Sequence, residues 1–553
     1  MNKQDKEFTI NEALNIAVEH HNAGRLSEAD NIYRSVLNKL PNQPIALNLS
    51  GLILHQTGKT EAAINQIKKA ITSDPKYAHA YNNLGTIFMD LNRFEEAAQN
   101  FNAATDIDPN YALASNNLGN AHFKLGNNEE AAKHYQKTIS LDPKYSGAFS
   151  NLGAVLITQG KWKEAYDCFL KALKVLPDNA DVLSNLGVVL VELGRLEEAA
   201  ENYKQALSIN PNHTDAMSNY AILLNNLGNK ELALSFFSKR LELVRGEYTA
   251  NLDLPEFKYI TRSKIKHDIE QFNFLQSTYE KNTSFGQLAA VYSKLENEIR
   301  WPTSDAERVL LSKDQKELIK SSYNRLVHVA DAEEISGGAL NKNLDVEAIT
   351  RSYFENKPGM TFFDDFLNDL ALKKLRRFLM ESTIWFDFGY AGGYLGAMYK
   401  DGMACPLLLQ IADELSQTFP GIIKKHHLTQ MWAYKYDSQL TGIKNHADGA
   451  AVNVNFWITP NSANLDDQSG GLIIHKAEAP LDWGFRKFNR DENLIEQFLE
   501  DSQAGELKVP YAENRMILFN SNLFHKTDNI RFRTGYENRR VNVTMLFGNR
   551  LRK

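Results

Sequence analysis

Hydrophobic and polar positions in the first half of the chain repeat with a period of 34 residues. Proline stands at 41, 75, 109, 143, 177 and 211, and alanine keeps the same step at 29, 63, 97, 131, 165, 199 and 233. Glycine follows at 24, 58, 126, 160, 194 and 228, with Asn92 in the one missing slot. Four residues beyond each alanine lies a large side chain: Tyr33, Ile67, Phe101, Tyr135, Phe169, Tyr203 and Phe237. Each period therefore predicts two helices joined by a tight turn. Proline ends one unit and starts the next because it cannot continue a helix. The glycines allow the turn, the alanines let paired helices approach, and the aromatic rings fill the gap to the next unit. One unit cannot bury its apolar faces alone, so the pattern predicts a stacked array over residues 8–245.

The pattern then changes twice. Residues 246–349 lose the period but keep helical spacing with a charged face in TRSKIKHDIEQFNFLQSTYEK and SKDQKELIKSSYNRLVHV. This connector is expected to cap the array's last apolar face, and SGGALNKNLD (336–345) reads as a flexible boundary. Over 350–553, short runs of β-branched and aromatic residues alternate with turns: LTQMWAYKYD, AAVNVNFWITP, GGLIIH, RMILFN and RRVNVTMLFG. Helical stretches precede them at DFLNDLALKKLRRFLMES and CPLLLQIADELSQTF. Two helices followed by several strands predict an antiparallel barrel or double-sheet jelly roll braced by helices.

The period and signature of the first half resemble tetratricopeptide repeats, which implies an all-α superhelix of seven repeats. A further column is asparagine: Asn15, Asn83, Asn117, Asn151, Asn185 and Asn219 share one position, with Leu49 the exception. Asparagine is a mediocre helix former, and its amide offers donors and an acceptor to an extended peptide backbone. The ladder resembles that of O-linked N-acetylglucosamine transferases, where it lines a groove that holds peptides. By that resemblance Asn83, Asn117, Asn151, Asn185 and Asn219 would bind a peptide. The alternative is that they bond within the superhelix.

The β-rich segment contains His446-Ala447-Asp448, then His525, then Arg540. Two imidazoles and one carboxylate on one face of a metal leave positions open, as in non-haem iron(II) oxygenases. A His-x-Asp pair in an extended segment places both side chains on one side. A second copy, His213-Thr214-Asp215, follows Pro211 and reads as the opening of a repeat helix.

With their surroundings, these residues resemble the iron(II)/2-oxoglutarate-dependent dioxygenases, especially the prolyl-hydroxylase-like branch, over about 355–550. The likeness includes TFFDDFLNDLALKKLRRFL, the turn Ser469-Gly470-Gly471-Leu472, and FNSNLFHKT around His525. It implies a double-stranded β-helix fold, iron held by His446, Asp448 and His525, and O2 and 2-oxoglutarate as cosubstrates. It also implies an arginine on the last strand for the distal carboxylate, Arg540, with Arg539 the alternative if the register slips by one. The strand Arg540-x-Asn542-x-Thr544 resembles that of alkylated-nucleic-acid-repair dioxygenases. Tyr436 matches a tyrosine that contacts the cosubstrate, or is a strand-surface aromatic. Independently of family, a buried dicarboxylate needs a fixed cation, and guanidinium gives a planar bidentate match. Arg531, Arg533, Arg550 and Arg552 are expected to be solvated. Because Asp448 is kept, the resemblance implies hydroxylation rather than halogenation. The segment 476–508, with Trp483, Phe485 and Phe488, reads as an insertion packed on the barrel or as part of a substrate mouth.

Composition narrows the classes. Of 553 residues 43% are hydrophobic and 24% charged, enough apolar material for folded cores. A net charge of -6 argues against a nucleic-acid-binding protein. No apolar run reaches membrane-spanning length, and the opening MNKQDKEFTI has no apolar stretch for a secretory signal. Two cysteines are too few for a disulfide framework, so a soluble, cytoplasmic setting is expected. The expected function is a hydroxylase acting on a protein or peptide recruited by the repeats, with succinate and CO2 as coproducts. The alternatives are a small-molecule or carrier-bound substrate with repeats used for assembly, and a non-catalytic scaffold for protein partners.

Overall fold

A computed structural model of the chain describes residues 9–246, 254–390, 392–438 and 442–550. Two compact units divide between Ala199 and Ala200, inside the helix Leu196–Ile209.

In the first unit helices come in pairs: Ile10–Asn22 with Leu26–Lys39, Pro44–Gln56 with Thr60–Ser73, and Ala78–Asp90 with Phe94–Ile107. Ala112–Lys124 with Asn128–Leu141 and Ser146–Thr158 with Trp162–Val175 follow. The same order of elements continues through Ala180–Glu192, Leu196–Ile209, Thr214–Asn226 and Lys230–Arg245. The turn inside each pair needs a left-handed residue, which is why glycine recurs there. Gly58 takes φ +81°, and Asn92 supplies φ +56° where glycine is missing. The periodic alanines, Ala29 to Ala165, are fully buried.

The aromatic column does more than fill the gap to the next unit. Three of the rings also lie against a glycine in the first helix of their own repeat: Phe101 on Gly85, Tyr135 on Gly119 and Phe169 on Gly153. A Cβ at Gly119 would stand 2.7 Å from the Tyr135 ring. That ring is 1% exposed and its hydroxyl donates to Asn120 Oδ1 at 2.8 Å, so it has little room to move. Gly119→Ala is therefore expected to destabilise the unit by about 1–3 kcal/mol of overpacking, read as a lower urea midpoint of the full chain. An unchanged midpoint would contradict the close packing.

The second unit takes in the end of the repeats, the connector and the β-rich region. Its connector is helical at Arg262–Thr278 and Ser284–Glu298, as the periodicity predicts, but the next helix stops at Ile319. The predicted continuation through SSYNRLVHV fails for a tertiary reason. Asn324 adopts φ +52° and gives its amide to Glu256 O, and Arg325 donates to Lys320 O and Gly246 O. The segment expected to be a flexible boundary is pinned, with Glu414 accepting from the N–H groups of Ala339 and Leu340 at 2.9 Å. The last repeat helix is covered chiefly from the β-rich region and not by the connector alone. Phe237 packs on Tyr399 at 4.9 Å, and Arg245 pairs with Asp401 at 2.7 Å.

Nine strands build the β-rich region: β1 Met360–Phe363, β2 Leu395–Met398, β3 Leu428–Tyr436, β4 Val452–Trp457 and β5 Leu472–Glu478, then β6 Glu506–Val509, β7 Met516–Asn520, β8 Leu523–Thr527 and β9 Arg540–Phe547. The five predicted runs are β3, β4, β5, β7 and β9, and the two predicted helices form at Asp369–Glu381 and Pro406–Thr418. A six-stranded sheet has the order β1-β7-β4-β9-β3-β2, and a three-stranded sheet has β8-β5-β6, with every pairing antiparallel. The sheets share one core: Met360, Tyr436, Trp457, Ile517 and Phe519 from the larger meet Leu472, Ile474, Val509 and Leu523 from the smaller. Strand alternation turns Arg540, Asn542 and Thr544 of β9 into this interior and Val541, Val543 and Met545 out of it. The outer face is covered by the helix Asp369–Glu381, whose Leu379 carbonyl accepts from buried Lys435 at 3.1 Å.

The insertion after β5 forms two helices, Phe485–Asn489 and Glu492–Ser502. Phe488, Trp483 and Phe498 pack with Ala447, Ala477 and Phe524 on the side of β8 away from the shared core. The segment is thus packed on the smaller sheet.

Candidate metal centre

His446 pairs with His525 in an antiparallel bridge on the free side of β8, with N–H to carbonyl distances of 3.0 and 2.8 Å in the two directions. Asp448 follows two residues on and is anchored by its N–H to Ser521 O at 3.1 Å. The three side chains converge: one ligand atom from each lies within 4.8 Å of the others. His446 Nε2 stands 3.9 Å from Asp448 Oδ1, and His525 Nε2 stands 3.5 Å from Asp448 Oδ2. Among the described residues no other group of three such side chains converges.

The tautomers follow from the hydrogen bonds. His446 Nδ1 lies 2.8 Å from Lys444 O, and His525 Nδ1 lies 3.0 Å from Leu523 O. A carbonyl can only accept, so each Nδ1 carries a proton, and in a neutral ring Nε2 is then the atom left to ligate. Burial drives the His525 pKa well below the usual imidazole range, with His446 adding to the effect, so this ring is neutral and ready to ligate. Burial raises the Asp448 carboxyl above its ordinary value, opposed by His446 and by a hydrogen bond from Asn453. A buried carboxylate close to two imidazoles, with no lysine or arginine paired to it among the described residues, fits a divalent cation.

One oxygen of Asp448 is held from behind. Asn453 Nδ2 donates to Oδ2 at 2.7 Å, and Asn455 Nδ2 donates to Asn453 Oδ1. Thr544 Oγ1 in turn donates to Asn455 Oδ1 at 2.8 Å. All of these side chains are buried on the inner faces of β4 and β9. Sequence reasoning missed this chain; the available signal was asparagine at alternate positions of the otherwise apolar VNVNFW. Asn453→Ala is expected to weaken divalent-metal affinity about 10–100-fold, the usual cost of losing an outer partner, read by competition with a chelating dye. Wild-type affinity in the variant would show that Asp448 needs no support.

Arg540 opens β9 opposite Tyr436 and is 1% exposed. Its Nε donates to Gly470 O at 2.6 Å, and its guanidinium carbon lies 4.9 Å from the Tyr436 ring and 5.5 Å from that of Trp457. The carbonyl is within reach because Gly471 has no side chain; a Cβ there would collide with Val509 O at 1.9 Å. Nη1 has no hydrogen-bond partner, and no carboxylate pairs with the guanidinium. Burial lowers the guanidinium pKa and raises that of the Tyr436 phenol, which Arg540 alongside pulls back down. Arg539 points elsewhere: its Nε donates to Glu270 at 2.7 Å in the connector. Of the two candidate anchors, Arg540 is the one that faces the interior.

The other sequence candidates are placed as follows. His213 caps the helix Thr214–Asn226 by accepting from Ala216 N at 3.2 Å, the structural role expected of that His-x-Asp copy. Arg550 is not solvated as expected: it donates to Asn522 Oδ1 at 2.6 Å and to Trp483 O at 3.0 Å, and stacks on Phe488 at 4.2 Å. Arg552 lies outside the described residues. Asn83, Asn117 and Asn151 of the asparagine column are half-buried, and their amides are engaged within the first unit. Asn83 donates to Asn48 at 3.1 Å, Asn117 to Asn82 at 3.0 Å and Asn151 to Asn116 at 3.2 Å. The residue 35 before Asn185 is Ser150, which has no amide carbonyl, and the series does not extend there.

Family models bear on the first half. Models described as tetratricopeptide repeats match residues 145–212 and 190–248, and one described as a TPR repeat matches 51–91, 85–126 and 119–160. The N-terminal region is a tetratricopeptide-repeat array. Similar solved structures include MamA, at 25% identity over 29% of this chain and 93% of that one, with a TM-score of 0.28. YrrB, described as a TPR protein with an unusual peptide-binding site, is 24% identical over 32% of this chain and 91% of its own, TM-score 0.28. PilF of Pseudomonas aeruginosa is 18% identical over 37% and 94%, TM-score 0.35. A search of curated proteins found no match. Among the described residues, no helix is long and apolar enough to cross a membrane.

Proposed function

We propose that the β-rich region is a double-stranded β-helix dioxygenase that uses iron(II) and 2-oxoglutarate to hydroxylate a protein or peptide brought to it by the repeat array. The observation that carries this reading is the pairing of two features between the two sheets: a convergent His446–Asp448–His525 set, and a buried arginine whose Nη1 has no hydrogen-bond partner and which makes no ion pair among the described residues. The strand order supports it, since the His446 stretch, β8, β5 and β6 face the larger sheet across a common core.

In this reading His446 Nε2, His525 Nε2 and a carboxylate oxygen of Asp448 hold the metal. When bound, iron(II) supplies oxygen activation coupled to oxidation of 2-oxoglutarate to succinate and CO2. Arg540 binds the distal carboxylate of the cosubstrate, the Tyr436 ring walls it, and Asn453 fixes the orientation of Asp448. The buried interior excludes water and strengthens each of these charge interactions. The repeat array supplies the protein or peptide partner. With one Nδ2 hydrogen bond from each of Asn83, Asn117 and Asn151 made to a neighbouring repeat, their carbonyl oxygens are available to accept from a peptide backbone.

The test is mass spectrometry of a peptide library incubated with the full chain, iron(II), 2-oxoglutarate and isotopically heavy O2. One heavy oxygen in a peptide, with one succinate formed per peptide labelled, is the expected result. Succinate without label in any peptide would contradict the peptidyl substrate and favour a small molecule. No succinate at all would contradict the enzyme.

A further inference from the structure

We propose that Trp457 is a cosubstrate-binding residue, its indole N–H donating to the same carboxylate that Arg540 holds. The proposal rests on the dioxygenase reading above and names a contact that its sequence motifs do not contain.

Trp457 ends β4, directly opposite Asn542 of β9, and is fully buried. Its ring lies 5.5 Å from the Arg540 guanidinium carbon and 5.3 Å from the Tyr511 ring. Packing accounts for the ring but not for the N–H, because Nε1 is buried without a hydrogen-bond partner. A buried donor left unmade is costly, and native proteins keep few of them. The neighbouring orphan, Arg540 Nη1, is also a donor. Two donors cannot satisfy each other. Tyr511 Oη donates to Thr459 O and could still accept, but the indole N–H makes no hydrogen bond to it.

What satisfies both is a single group with several acceptor lone pairs and a negative charge, which describes a carboxylate. The positions agree with this. Arg540 and Asn542 are successive inward residues of β9, and Trp457 sits across from the second of them, so the two donors flank one point of the interior. Asn542 Oδ1 is the competing partner, a buried acceptor without a bond on the same face. If it took the indole N–H, ligand binding would not depend on Trp457.

The test uses the full chain loaded with manganese(II) and calorimetric titration of 2-oxoglutarate into wild type and Trp457→Phe. Phenylalanine keeps an aromatic ring and removes the donor, at the cost of a small cavity that lowers the unfolding temperature. The dissociation constant is expected to rise about tenfold, the loss of one hydrogen bond to a charged group, with manganese affinity unchanged. A second readout needs no substitution in the sample under test. With diamagnetic zinc(II) in place of manganese, the indole N–H resonance that is missing from Trp457→Phe should move downfield in wild type on addition of 2-oxoglutarate. Binding by wild type with an unchanged constant in the variant and a stationary resonance would overturn the role of Trp457 alone. No binding by wild type would overturn the dioxygenase reading together with it.

Discussion

Replacing His446 by alanine is expected to lower divalent-metal affinity by more than about 100-fold, beyond what loss of an outer partner costs, and to abolish any metal-dependent turnover. The imidazole contributes one of only three protein donors, and its Nδ1–H is already committed to Lys444 O, so no neighbouring group stands ready to replace it. The fold should survive, because His446 lies at the edge of the smaller sheet and the backbone bridge to His525 does not use the side chain. His213→Ala is the matched control. It removes the other His-x-Asp histidine, costs about 1 kcal/mol of helix capping, and should leave metal binding untouched. Equal metal affinity in His446→Ala and wild type, by chelator competition, would contradict the assignment of the centre.

Replacing Arg540 by methionine is expected to have opposite effects on the free and the bound protein. With nothing bound, the variant loses a buried cation that has no counter-ion, so its unfolding temperature should hold or rise. Binding should suffer. Leaving a buried carboxylate without its cation costs about 3–5 kcal/mol, so the dissociation constant for 2-oxoglutarate should rise on the order of a hundred-fold to several thousand-fold. Saturating 2-oxoglutarate should then stabilise the metal-loaded wild type and not the variant in a thermal shift measurement. Arg540→Lys should not rescue it, because an ammonium lacks the planar fork. Arg539→Met should do the reverse, losing stability through Glu270 while keeping the cosubstrate. A variant lacking Arg540 that 2-oxoglutarate stabilises as well as wild type would mean that the guanidinium serves the fold.

The repeats were legible because a one-dimensional array writes its packing into the sequence at fixed intervals, and the left-handed turn even explains Asn92. The glycines under Phe101, Tyr135 and Phe169 were not, because their contacts form only when the helices are paired. The strands β3, β4, β5, β7 and β9 stood out by their β-branched and aromatic residues, whereas LFHKT, which carries His525 and is no shorter than β7, has a register shift and no clean pattern. The three candidate ligands could be picked out from residue type and spacing. Their support could not, since Asn453, Asn455 and Thr544 come together only when β4 and β9 lie side by side. Trp457 is one of several large residues in AAVNVNFWITP, and only the folded structure leaves its N–H without a partner. The connector shows the converse failure. Its helical pattern runs on past Ile319, but contacts from Asn324 and Arg325 to distant backbone end the helix there.

The central claim, that one interior holds both iron(II) and 2-oxoglutarate, is tested most directly by anaerobic visible absorption. Iron(II) is added to the full chain, then 2-oxoglutarate, with His446→Ala and Arg540→Met titrated alongside. The account predicts a metal-to-ligand charge-transfer band in wild type, no band in the first variant, and a band needing far more 2-oxoglutarate in the second. A wild-type chain that is fully loaded with iron and shows no band at saturating 2-oxoglutarate would contradict it.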